Sequence, residues 1–261
     1  MCRKHHGALF GSGFGVTRAH FEWLTGEAAI VHYRASDAFE RPFCGSCGST
    51  VPAASHLGDV LHVPAGLIDG DPGERPRTHI FVGSKLASVA LEDSLPQYVE
   101  YPPGVNLPTV ATRRPAENAA LAGSCLCGSV AYASDAPPRR IVNCYCSLCR
   151  RSRAAAFGST IATPLAAFRF SRGAELVRSY SLPPPHSYGV DFCSRCGSLA
   201  PTVVAPFGIA FLPAGGIDTP LPPLPMTHTF VASRAPWYEI LDTWPQFAEL
   251  PPPELQAELL L

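Results

Sequence analysis

Cys125-Leu126-Cys127-Gly128, Cys144-Tyr145-Cys146-Ser147-Leu148-Cys149 and Cys193-Ser194-Arg195-Cys196-Gly197-Ser198 hold seven of the ten cysteines in this chain. The outer clusters are pairs and the middle one is a triplet. Two pairs supply the four sulfurs of a tetrahedral zinc shell, and three sulfurs leave one position of a second shell free. A closed shell holds structure, whereas an open one can act on a ligand. Cys193-Ser194-Arg195-Cys196-Gly197 has the form of a zinc knuckle, in which two thiols bite one ion from a tight turn. Gly197 can take the positive φ that lets backbone N–H groups point at the sulfurs. A redox dithiol and a four-cysteine iron–sulfur cluster are the competing readings of the pairs. For the triplet the competitor is a closed structural site with a fourth ligand from elsewhere. Otherwise water, a substrate thiol or a carbonyl oxygen takes that place. Arg150, Arg151 and Arg153 follow at once, either as a solvated basic turn or as partners for thiolates and substrate carboxylates.

Composition narrows the setting. The chain has 261 residues, 46% of them hydrophobic, and a net charge of −1. That length allows one large or two ordinary domains, each with a real core. No apolar run approaches the roughly 18–20 residues of a membrane span, and the first residues lead into no secretion signal. A cytosolic, reducing setting is expected, where many cysteines favour metal ligation over disulfides. The near-neutral charge argues against a nucleic-acid partner. The 28 prolines and 22 glycines break the chain into short pieces. Short alternations at 129–132, 176–180 and 188–192 read as strands ending in turns, so the class is mainly β.

The chain is also written twice. Met1-Cys2-Arg3-Lys4 parallels Leu148-Cys149-Arg150-Arg151. Phe43-Cys44-Gly45-Ser46-Cys47-Gly48-Ser49 parallels Phe192 to Ser198, and Pro64-Ala65-Gly66 parallels Pro213-Ala214-Gly215. Thr78-His79 matches Thr227-His228, and Leu95-Pro96-Gln97-Tyr98 matches Trp244-Pro245-Gln246-Phe247. The offset is almost constant, as in a tandem duplication. Residues 1–103 form an incomplete first copy, 104–122 a linker, and 123–261 a complete second copy. The segment from Gly123 to Ser147 has no counterpart in the first. Met1 therefore falls inside what would be a metal loop, through a misplaced start or a genuine loss. In the first copy Cys44 and Cys47 keep the knuckle without its opposite pair. An empty or weakly metallated knuckle is expected there, although Cys2, His5 or His6 are conceivable replacements. His79 and His228 read as packing or hydrogen-bonding residues, and Trp237 and Trp244 as core or lid aromatics.

With their order and spacing, these clusters resemble the glutathione-dependent formaldehyde-activating enzyme (GFA) family, also called the centromere protein V domain. The tail Thr227-His228-Thr229-Phe230-Val231 with Trp244-Pro245-Gln246-Phe247 adds to the likeness. The resemblance implies an Mss4-like fold of small antiparallel sheets with zinc knuckles, here in two tandem copies. It implies a structural zinc on Cys125, Cys127, Cys193 and Cys196 and a catalytic zinc on Cys144, Cys146 and Cys149. The implied activity is condensation of formaldehyde with glutathione to S-(hydroxymethyl)glutathione, a carbon–sulfur lyase reaction, with glutathione or another small thiol and an aldehyde as partners. Arg150 and Arg151 are then the expected docking residues for glutathione carboxylates. Tyr145 stands where members often have histidine, and Ala154 where they often have glycine. A methyl at 154 is expected to narrow the approach to the metal. The functional alternative is a non-catalytic zinc-binding protein-interaction module.

Overall fold

A computed structural model of the chain describes residues 1–55, 58–110, 117–185 and 188–260. Part of the expected linker, 111–116, lies outside the described residues. Proline and glycine keep the elements short, and no helix among the described residues is long and apolar enough to cross a membrane.

The first half opens with helix α1 (Cys2–His6). Strands β1 (Gly13–Thr17), β2 (Ile30–Arg34), β3 (Glu40–Cys44), β4 (Ala53–Ala54) and β5 (Val60–Pro64) follow. The antiparallel order is β1-β5-β4, with β2 and β3 paired apart. In the second half β6 (Leu121–Ser124), β7 (Ala131–Ser134) and β8 (Ile141–Cys144) lead into helix α2 (Ser147–Arg153). Then come β9 (Gly158–Pro164), β10 (Phe168–Arg172), β11 (Val177–Ser181), β12 (Gly189–Cys193) and β13 (Leu199–Ala200). The set ends with β14 (Thr202–Val204), β15 (Ile209–Pro213), β16 (Met226–Thr229) and helix α3 (Pro253–Leu260). Three small sheets result, ordered β10-β7-β6, β11-β12-β13 and β14-β15-β9-β8-β16. The three alternations read from sequence fall on β7, β11 and β12, each within two residues.

The duplication is visible in the pairing. Gly13 faces Pro64 across β1 and β5, as Thr160 faces Pro213 across β9 and β15. Ile30 faces Cys44 as Val177 faces Cys193. Among the described residues the first half lacks a counterpart of β8; β1, which matches β9, still pairs with β5, but the strand that would match β16 is missing. β16 pairs in parallel with β8, the one parallel ladder among the described sheets. The matching segment around His79 has no such neighbour and keeps only a bridge to Gln97, as His228 does to Gln246. A strand without a partner leaves its backbone groups to water, so it does not form.

The halves share a core. Leu9, Ala65, Leu86 and Val89 of the first pack with Leu121, Tyr132, Ile141, Ile161, Leu212 and Trp237 of the second. Their contact is reciprocal. A methyl on Gly66 would lie 2.2 Å from the Ala155 nitrogen, and one on Gly215 would lie 2.2 Å from the Arg3 oxygen. A methyl on Gly48 would lie 2.5 Å from the Phe192 ring, and one on Gly197 2.3 Å from the Phe43 ring. Each copy thus receives the other's helix end against its Ala-Gly turn, and the other's phenylalanine against its knuckle glycine. Lys4 crosses between halves to Asp218, at 2.7 Å and with the two side chains 13% and 4% exposed, and also donates to Ser124.

Candidate metal centre

The turn after β6 carries Cys125 and Cys127, and Cys193 ends β12 with Cys196 in the turn that follows. Gly128 and Gly197 close these turns at φ 73° and 69°, donating to the carbonyls of Cys125 and Cys193. Both are in the left-handed region that glycine enters without cost. All four sulfurs lie within 4.8 Å of one another. Those of Cys125 and Cys127 are 3.3 Å apart, and those of Cys127 and Cys193 are 3.8 Å apart. Four thiolates about 2.3 Å from one zinc stand about 3.8 Å apart in a tetrahedron, so the donor set fits a thiophilic ion. The Val130 N–H donates to Cys125 Sγ at 3.2 Å, and Leu176 and Val177 pack against the cluster. Mutual hydrogen bonding pushes the Cys125 thiol up and pulls Cys127 well down, as expected where anionic sulfurs are crowded together.

Cys144 ends β8, Cys146 caps α2 and Cys149 lies one turn in, so one strand-to-helix corner brings three sulfurs within 4.8 Å. Cys146 takes the place of an N-cap side chain, with its sulfur accepting from the Cys149 N–H at 3.4 Å. Hydrogen bonds from Cys144 and Cys149 hold the Cys146 thiol well below the usual thiol range, and the same pairing pushes Cys149 well up. The three-sulfur set therefore favours anionic sulfur at the helix start. Cys144 and Cys149 line an open cavity of about 230 Å³ with Arg153, Thr160, Tyr188 and Asp191. All ten cysteines are free thiols.

Of the three arginines after the triplet, only Arg153 lines this cavity. Arg150 donates toward the Ile68 carbonyl at 3.4 Å, and Arg151 pairs with Asp69. Both tie α2 to the first half. Cys44 and Cys47 interact with each other, but no third histidine, cysteine or carboxylate ligand among the described residues gathers with them. Cys2 lies 3.6 Å from Arg41 Nη2, and His5 and His6 are buried in α1.

Tyr145 points into the core, its hydroxyl 2.9 Å from His228 Nδ1, and His228 Nε2 meets Asp242 at 2.9 Å. His79 meets Asp93 in the same way, at 2.8 Å. These histidines are hydrogen-bonding residues, as their strand-like settings indicated. Trp237 is core and Trp244 is 40% exposed. Ala154 does not line the cavity. It ends α2 at φ 49°, so its methyl affects the helix end rather than the approach to the triplet. Sequence reasoning did not single out Thr160, Tyr188 or Asp191 for this cavity. Thr160 comes from β9, Asp191 from β12 and Tyr188 from the residue before β12, and no local motif marks them.

Fold and sites together define a β protein of small sheets with one saturated and one undersaturated thiol cluster, a class suited to binding zinc. The sequence matches the family model described as glutathione-dependent formaldehyde-activating enzyme over residues 1–84 and 120–233, and the chain belongs to that family. Both halves match, and the fold is the Mss4-like one of small antiparallel sheets. No curated protein matches the chain.

Proposed function

We propose that the chain is a zinc-dependent enzyme of the carbon–sulfur lyase type, acting on a thiol–aldehyde adduct such as S-(hydroxymethyl)glutathione. The supporting observation is the contrast between the clusters: four sulfurs gather with three of their cysteines buried, whereas all three cysteines of the triplet are partly exposed and two of them, Cys144 and Cys149, line an open cavity. In this reading Cys125, Cys127, Cys193 and Cys196 hold a structural ion, and Cys144, Cys146 and Cys149 hold the reactive one. Zinc held by three thiolates would supply Lewis acidity, favouring a substrate thiolate or polarising a carbonyl. The chain's own residues do the rest. Cys146 and α2 fix the sulfur geometry, and the cavity positions the thiol beside it. The net step forms one C–S bond and moves the thiol proton to the former carbonyl oxygen, with no oxidant or reductant. The abundance of free thiols fits a reducing, cytoplasmic compartment.

The test adds glutathione and formaldehyde to the zinc-loaded chain and follows adduct formation by NMR exchange. Acceleration over buffer supports the enzyme. No acceleration together with no glutathione binding leaves the non-catalytic interaction module.

A further inference from the structure

Arg153 ends α2 with its side chain against the cavity. It is 8% exposed, and its Nε is buried without a hydrogen-bond partner. Nη1 donates to Ser152 Oγ at 3.2 Å. Among the described residues no carboxylate lies within ion-pair distance of it, unlike Arg151, which has Asp69. A desolvated guanidinium without a counter-charge is costly, so the place is made for negative charge from outside the chain's carboxylates. Gly158 gives it room, since a methyl there would stand 2.5 Å from Nε. Arg153 is also the only arginine or lysine among the described residues lining the cavity.

We propose that Arg153 is a specificity residue that holds a carboxylate of the thiol substrate while the substrate sulfur faces Cys144 and Cys149. The inference rests on the function proposed above. It moves carboxylate docking from Arg150 and Arg151, whose side chains are engaged with the first half, to one buried side chain. The competing source of negative charge is the thiolate triplet itself, with Arg153 serving only to neutralise it.

Calorimetric titration of the zinc-loaded full chain with 3-mercaptopropionate and with its uncharged methyl ester separates these. The wild type should bind the acid about tenfold more tightly than the ester, the usual scale of a charge-assisted contact. Arg153→Met should bring that ratio to about one by weakening the acid alone, and Arg153→Lys should keep part of it. Equal affinities in the wild type, or an acid preference that survives Arg153→Met, would overturn the inference. A pure neutralising role gives the first result, equal affinities in the wild type, with faster zinc release to a chelator from Arg153→Met. Should Arg153→Met fail to fold, the wild-type ratio and Arg153→Lys decide the matter. Binding of neither thiol would instead remove the proposed function, an outcome distinct from equal binding of both.

Discussion

Cys149 and Cys193 are the same residue type in different positions, and they should fail differently. Cys193 is fully buried in the four-sulfur cluster, and Cys149 sits at a corner open to a cavity. Cys193→Ser should unfold the second half, because ion binding there is folding free energy. Cys149→Ser should keep the fold and abolish activity. Circular dichroism melts of the two zinc-loaded variants check this, and equal melting would void the division of labour. His6 gives a second test. Burial holds its imidazole down to about 4, against 6.5 for a free side chain. The unfolded chain therefore takes up a proton that the folded chain resists. The contribution is intact above about pH 6.5 and is lost as pH falls toward about 4, on the order of 3 kcal/mol in all. Denaturation midpoints at pH 7.5 and pH 5.5 should differ less in His6→Asn than in the wild type.

At the scale of elements, α2 is held from both sides. Its start carries Cys146 and Cys149, and its end lies against the Ala65–Leu67 turn of the first half. Gly66 approaches the Ala154 and Ala155 backbone so closely that a methyl has no flexible side chain to displace. Gly66→Ala should cost about 3 kcal/mol, at the upper end of overpacking penalties. It should also weaken metal retention at the triplet more than at the four-sulfur cluster, which competition with a chromogenic chelator would reveal. Equal loss from both would show that the turn supports the half as a whole. The coupling follows from geometry: displacing the end of a two-turn helix also displaces the sulfurs at its start.

For the whole molecule, the two halves behave as a covalent pseudo-dimer with reciprocal contacts. Removing the first half would expose Leu199 and Gly197 of the second, which Gly7 and Phe43 cover. Residues 120–261 alone should therefore self-associate where the full chain has its own first half, as light scattering after gel filtration would show. Native mass spectrometry of the full chain should find two zincs. A third would place an ion on Cys44 and Cys47, where the described residues gather no further ligand.

Ligand number was legible in the sequence because close cysteine spacing restricts which sulfurs can share an ion, and the knuckle glycines mark their own backbone demands. The mainly β class and the duplication were legible too, from short alternations and from a motif order kept at a constant offset. Arg150 and Arg151 read the same as Arg153, since three neighbours on a short helix differ only in the direction each faces. That direction was decided by the first half, which takes up two of them and leaves the third at the cavity. The cavity wall was likewise a tertiary matter. Thr160, Tyr188 and Asp191 share a cavity with Cys144 and Cys149 only because β9 and the start of β12 fold to the same place as the triplet, and distance along a chain carries no record of such a meeting.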